Sequence, residues 1–192
     1  TMSAQADYLD FDGALASTIT LDGGDGVDYL ELDTSVAYSA SATAQSGSGV
    51  SNFEALRLAS GVGVDERSLV NNAGITGLIA VAGGSYTKST ALASITQLSA
   101  GTFTTTAATD GAADTLTMNL IGAGVASTLS AANVETLTVN SGGIAANSLT
   151  MSALGSADLT SVTAAGTMPL TVTVSGTSLA TVSAADLTGT GS

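Results

Sequence analysis

The residues here that could do chemistry are carboxylates and glycines. Gly23-Gly24-Asp25-Gly26-Val27-Asp28-Tyr29-Leu30-Glu31 packs three glycines and two aspartates into a turn, then opens into alternating apolar and acidic residues. Glycine lets the backbone bend tightly and turn its carbonyls inward, and the aspartates add charged oxygens. A ligand set made only of oxygen, held on a tight turn, suits a hard cation, calcium above all. Gly23, Gly24, Asp25, Gly26 and Asp28 are therefore the first metal-ligand candidates.

The rest of the composition narrows the chemistry further. The 192 residues carry 16 acids against three bases (Arg57, Arg67 and Lys88), for a net charge of −13. Eight of the 16 acids lie within residues 1–33, a cluster that repels itself unless a cation neutralises it. Nucleic acid is a poor partner, because binding it requires a basic face that displaces counterions. Histidine is absent, which removes the usual general base and zinc ligand. Cysteine is absent too, so there are no disulfides or thiolate metal sites. Paired carboxylates can cleave glycosides, but such sites usually hold their sugar with Arg, Lys, His or aromatic residues, all scarce or missing here. The expectation is a protein that is not an enzyme, with no catalytic residues.

The elements that must position these acids follow from internal repetition. Asp7-Tyr8-Leu9-Asp10-Phe11-Asp12 superposes on Asp28-Tyr29-Leu30-Glu31-Leu32-Asp33 at an offset of 21. Thr115-Leu-Thr-Met-Asn119 superposes on Thr136-Leu-Thr-Val-Asn140, and Leu149-Thr-Met151 on Leu170-Thr-Val172, again at 21. Leu159–Ala165 matches Leu179–Ala185 at 20, and Leu56–Gly61 echoes Leu78–Gly83 at 22. In the last third, strand starts are expected at Leu137, Leu149, Leu159, Leu170 and Leu179, about half a period apart. Each segment alternates apolar residues with Thr or Ser, the mark of a strand buried on one face.

Two short strands per coil, stacked coil on coil, predict an all-β, right-handed parallel β-solenoid of the β-roll or β-helix kind with coils of about 20–21 residues. Small side chains suit its thin core: hydrophobic residues make up 44% of the chain but aromatics only 4%. About nine coils, each ~4.8 Å thick, would give a rod on the order of 40–45 Å long. Residues 1–192 read as one solenoid segment, with irregular insertions near 34–50 and 61–74. No uninterrupted apolar run is long enough to span a bilayer, and no charged-then-apolar leader opens the sequence. The Thr1-Met2 start and the Thr188-Gly-Thr-Gly-Ser192 end lead us to expect a segment of a longer polypeptide.

A larger module occurs twice. Asp25-Gly-Val-Asp28-x-Leu30-x-Leu32 is followed by Asn52-Phe-Glu54-Ala-Leu56, and Asp110-Gly-Ala-Ala-Asp114-x-Leu116-x-Met118 by Asn133-Val-Glu135-Thr-Leu137. Stacking would set each Glu beside the Asp one coil earlier, and two adjacent carboxylates repel unless a cation lies between them. Asp28 with Glu54, and Asp114 with Glu135, are the candidate pairs. Asp110 belongs to the second turn, and Asp7 lies one coil before Asp28. By contrast Asp22, Asp33, Asp65, Glu66, Asp158 and Asp186 read as solvated loop charges. Asn133 reads as a turn former, and Tyr8 and Tyr29 as stacked covers of the core edge. The Thr-x-Thr pairs at 115–117, 136–138 and 171–173 read as outward strand residues rather than an ice-binding face.

These motifs carry a resemblance. Gly23–Glu31 fits the G-G-x-G-x-D-x-U-x nonapeptide, with Leu30 as the large apolar residue, and resembles the RTX family of secreted proteins. Asn52–Leu56, Asn133–Val139, Leu159–Gly166 and Leu179–Asp186 look like segments of RTX-related bacterial surface-layer proteins. The resemblance implies a calcium-dependent β-solenoid, type I secretion by a Gram-negative cell, and self-assembly into a homo-oligomeric lattice on the outer membrane, with outer-membrane polysaccharide as a further partner. The sequence departs from the pattern in having only one full nonapeptide; Thr109–Thr117 lacks the paired glycines. A different class remains open, a stalk or secretion module of an RTX adhesin or exoenzyme.

Overall fold

A computed structural model of the chain describes residues 5–72, 74–152, 158–174 and 178–188. Among them, seventeen strands alternate between the walls of a β-solenoid of about eight turns and about 22 residues per turn. The odd-numbered strands β1 (Tyr8–Phe11), β3 (Tyr29–Leu32), β5 (Ala55–Leu58), β7 (Gly77–Ala80), β9 (Ser94–Gln97), β11 (Thr115–Leu120), β13 (Thr136–Ser141), β15 (Ser161–Gly166) and β17 (Thr181–Leu187) stack in that order into one parallel sheet. A second parallel sheet runs from β6 (Gly63–Asp65) through β8 (Gly84–Ser89), β10 (Gly101–Ala107), β12 (Ala126–Ala132) and β14 (Asn147–Met151) to β16 (Leu170–Val174). The short strands β2 (Leu21–Asp22) and β4 (Val50–Ser51) pair in a third sheet beside the early coils.

Alternation along each strand sends one side-chain column inward and the next outward. Leu30, Leu56, Leu78, Ile95, Met118 and Val139 are register partners in successive coils, and all are buried. Phe103, Leu129 and Met151 face them from the second sheet. Each fully buried aliphatic side chain of this kind contributes roughly 1.5–3 kcal/mol. A thin core with few aromatics therefore holds because every coil adds another layer to the same columns.

The repeat offsets translate into register with one exception. Tyr8 pairs with Tyr29, Leu56 with Leu78, Thr115 with Thr136 and Ser161 with Thr181, as the sequence offsets require. Leu149, however, pairs with Val172 rather than Leu170. A slip of two residues keeps every side chain on its own face, so alternation cannot distinguish the two registers. The observed ladder opens with Asn147 N donating to Pro169 O at 2.9 Å and Asn147 opposite Leu170, and the buried amide of Asn147 fixes where β14 starts. It accepts from Val125 N at 2.7 Å and donates to Gly142 O at 2.9 Å, which starts β14 at Asn147 rather than Leu149. Likewise β15 and β17 begin two residues after Leu159 and Leu179, because buried Leu159 turns inward at the corner before its strand.

Coil spacing is uneven where the chain leaves the walls. The step from Tyr29 to Ala55 takes 26 residues and includes an exposed excursion from 37 to 44. A 3-10 helix, Glu66–Ser68, follows β6, with Asp65 as its N-cap. Elsewhere corners are so tight that a side chain would meet the neighbouring backbone. Gly143 has φ 82° and its added Cβ would lie 2.2 Å from Gly122 O, whereas Gly61, at φ 75°, faces open space. Gly143→Ala is thus expected to cost ~3 kcal/mol or more, and Gly61→Ala only about 1 kcal/mol. Thermal unfolding of the two variants measures the difference, and equal losses would refute the close packing at the 143 corner.

Candidate functional site

The stacking places the acids of the first module against one another across three coils. Asp28 follows the glycine turn, points inward ahead of Leu30, and is 0% exposed. Its Oδ1 accepts from the Asp7 backbone N–H at 2.7 Å, and its own N–H donates to Glu54 Oε2 at 2.8 Å. Glu54 and Ala55 in turn donate their N–H groups to the Asp28 carbonyl. The expected Asp–Glu adjacency is therefore present, but Glu54 spends one oxygen on the backbone of the coil before it. The second module repeats the arrangement, with Asp114 N–H donating to Glu135 Oε2 at 2.6 Å.

The Asn-apolar-Glu motif now has a conformational reason. Asn52 and Asn133 both sit in the left-handed region, at φ 57° and 61°. Asparagine tolerates that region better than most residues. The bend turns Phe53 and Val134 into the core and aims the following Glu back along the stack.

One atom in the first module has no partner. Asp28 Oδ2 is buried and accepts no hydrogen bond. A buried ionised carboxylate in this state is costly unless a positive charge shares the site. Gly23 closes the other side of Asp28: an added Cβ there would lie 3.0 Å from Asp28 Cβ and 2.0 Å from the Asn52 carbonyl oxygen. Glu54 and the Asn52 carbonyl lie nearby with further oxygens of the kind calcium takes, but the carboxylates of Asp7, Asp28 and Glu54 are not drawn into one cluster: among the described residues the trio of acids whose oxygens come within 4.8 Å of one another is Asp10, Asp12 and Asp33. Gly24 and Gly26 shape the turn at φ 90° and 143°, while Asp25 is exposed at its tip.

The second module is wetter. Asp114 is half-buried and accepts from Gly111 N at 2.8 Å. It borders a cleft of ≈ 290 Å³ lined also by Ser89, Thr90, Leu92, Thr105 and Asn133. Asp110 is exposed in the loop before it. Asp114 can keep its hydration, so the demand for a counterion is weaker here than at Asp28.

Several acids expected to be solvated are engaged. Asp22 Oδ1 accepts from Gly24 N at 3.1 Å and from Asn52 Nδ2 at 2.8 Å. Asp158 is half-buried and accepts from Asn133 N at 3.3 Å. Asp65 is held below the usual carboxylate range by its ion pair with Arg67, whose guanidinium also lies 4.2 Å from the Tyr38 ring. Glu66 is 4% exposed, because it accepts from Tyr86 OH at 2.8 Å, from Thr90 N at 3.0 Å and from the Thr90 hydroxyl. Burial, with Glu66 alongside, pushes the Tyr86 hydroxyl far above its ordinary pKa. The side chain of Asp186 lies outside the described residues. Tyr8 and Tyr29 pair in register on the outer face, where the Tyr8 hydroxyl accepts from Arg57 Nη1 at 3.4 Å.

Sequence reasoning missed two kinds of residue. Buried Asn72 and Asn147 work as corner clamps, with Asn72 accepting from Phe53 N and donating to Phe53 O at 2.7 and 2.8 Å. The signal available in the sequence was an amide one period away from a bend. The other miss is a triad of exposed carboxylates, Asp10, Asp12 and Asp33, whose oxygens lie within 4.8 Å of one another. A hydrogen bond to Asp12 raises the pKa of Asp33 above the ordinary carboxylate value, with the charges of Asp12, Asp10 and Glu31 adding to it. Comparison of the chain with protein-family models, curated proteins and solved structures gave no match.

A raised folded-state pKa means that Asp33 favours the fold when protonated and opposes it once ionised. Its contribution is thus present below the unfolded carboxylate value and lost as pH rises through the folded one. Asp33→Asn is expected to raise Tm at pH 7 in low salt and to leave it nearly unchanged at pH 3. A scan of Tm against pH for the two proteins tests the sign; a variant less stable at pH 7 would contradict it.

Proposed function

We propose that this chain is a structural, calcium-binding β-solenoid segment of an extracellular surface-layer protein of a Gram-negative bacterium, exported by a type I route and acting through self-assembly into a cell-surface lattice. The observation that carries the reading is the buried, unpartnered Oδ2 of Asp28. A divalent cation shared with Glu54 and the Asn52 carbonyl would remove the cost of that atom. Asp28 and Glu54 belong to successive coils, so an ion held between them would tie the coils together and make binding part of folding. At low calcium the acidic coils repel and keep the chain open for export. At higher calcium the ion favours the folded rod by mass action, and lattice contact follows. The surface-layer assignment adds the motif resemblance and a composition of 16 acids without histidine or cysteine.

Circular dichroism, thermal unfolding and electron microscopy across a calcium titration, with a chelator control, test this reading. Calcium at a hundredfold its dissociation constant should stabilise the wild type by about 2.7 kcal/mol. Asp28→Asn should lose that response, yet be at least as stable as wild type in chelator, because it removes a buried charge. Full β content and full assembly in chelator would sink the calcium reading. Isolated rods in place of two-dimensional sheets would favour the adhesin or exoenzyme stalk.

A further inference from the structure

We propose that the outer face of the nine-stranded sheet, from β7 to β15, is the self-association surface of this chain and takes a second copy packed face to face about a twofold axis. The inference rests on the assembly reading above and names the surface that assembly would use. Ser94, Thr117, Thr138 and Thr163 form one in-register outward column on this face, and Thr96, Asn119 and Asn140 form the next. No charged residue stands in either column between β7 and β15. The second column is already ordered: Asn140 Nδ2 donates to Asn119 Oδ1 at 2.8 Å, and Asn119 Nδ2 to Thr96 Oγ1 at 3.3 Å. Side chains fixed in this way lose little entropy on docking. Along one border an aliphatic ridge runs up the stack through half-buried Val81 and Leu98 to Ile121, which is 47% exposed.

Charge selects the occupant. A molecule with net charge −13 meets its own copy only where like charges do not face each other. Among the described side chains the charged outward residues of this sheet, Asp10, Glu31 and Arg57, lie on β1, β3 and β5, and Asp186 belongs to β17, so these charged positions fall outside β7–β15. Asp114, Glu135 and Asp158 lie at the corner ahead of the strands and accept backbone N–H groups there. A twofold pairing centred on β11 sends the acidic ends of the two copies in opposite directions, where they overhang without meeting. Polysaccharide recognition draws on aromatic and arginine side chains, and the columns between β7 and β15 contain neither. The six-stranded sheet also has an uncharged column, Thr102, Thr128, Thr150 and Thr173, but lacks the amide ladder and the aliphatic ridge.

The size of the face sets the strength. Five strands ~4.8 Å apart and about six residues long, at ~3.3 Å per residue, give on the order of 500 Å² a side. Roughly 1,000 Å² in total is the low end of specific interfaces, so a single pair is weak and gains by repetition.

The absence of cysteine makes the test clean. Thr117→Cys, at the centre of the face, and Thr128→Cys, on the outer face of the six-stranded sheet, are treated with a short bismaleimide under assembly conditions. Thr117→Cys should give covalent dimer and Thr128→Cys essentially none. A Thr117→Glu, Thr138→Glu double variant should weaken association about tenfold or more, because the twofold axis brings the new charges together. Thr128→Glu should leave association unchanged. Circular dichroism and the calcium-dependent Tm of each variant report that the fold persists. Equal cross-linking at both positions, association indifferent to the paired glutamates, or cross-linking at Thr117 only after added outer-membrane polysaccharide would each overturn the proposal. A failed calcium response with face-specific cross-linking intact would remove the calcium reading and leave this surface standing. The reverse result would remove the surface alone.

Discussion

The structure depends on how a stacked coil satisfies the backbone N–H groups at its corners. Within the walls, parallel ladders pair each N–H with the neighbouring coil. Where the chain bends, the ladder stops and a donor is left facing the interior, which is costly if it goes unpaired. This chain answers with a side-chain oxygen from the following coil. Asp28 accepts from Asp7, Glu54 from Asp28, Asn72 from Phe53, Val125 is served by Asn147, Asp114 by Glu135, and Asn133 by Asp158. Six corners are closed by one device, with carboxylate and amide used interchangeably.

That device explains why acids stand beside acids without the chain bursting apart. Each carboxylate that accepts a backbone N–H has part of its charge stabilised by that dipole, so proximity alone does not demand a cation. What distinguishes Asp28 from Asp114 is the oxygen left over. At Asp28 it is buried and bare; at Asp114 the carboxylate borders a cleft large enough for water. A repeat that is nearly symmetric in sequence therefore gives two chemically unequal sites, and the inequality arises from the packing of the coil beneath.

Much of the architecture was legible in the residues, because a solenoid writes its period into the chain. Tyr8–Phe11 against Tyr29–Leu32 and Thr115–Asn119 against Thr136–Asn140 gave register directly. Leu149 against Leu170 failed by two residues, since a shift of that size preserves the pattern of faces; the strand starts at Asn147, which stands opposite Leu170. The module joining Asp28 to Glu54 was readable as a spacing, but its bond was not. Spacing says that two side chains are neighbours and leaves open whether they meet each other or the backbone between them. Glu66 was misread because its partners Tyr86 and Thr90 are 20 and 24 residues away, with no repeated motif to link them.

The six corner clamps reach in the same direction. In each of them the side-chain acceptor belongs to the later coil and the backbone donor to the earlier one, so such a layer is finished only when its successor has settled on it; Glu66, which accepts from Thr90 N of the following coil, reaches the other way. Damage is correspondingly one-sided. A coil that melts strips the acceptor from the coil before it and leaves untouched the clamp that the coil after it supplies. Unravelling that starts among the coils these six clamps close should therefore travel toward the N-terminus more readily than toward the C-terminus.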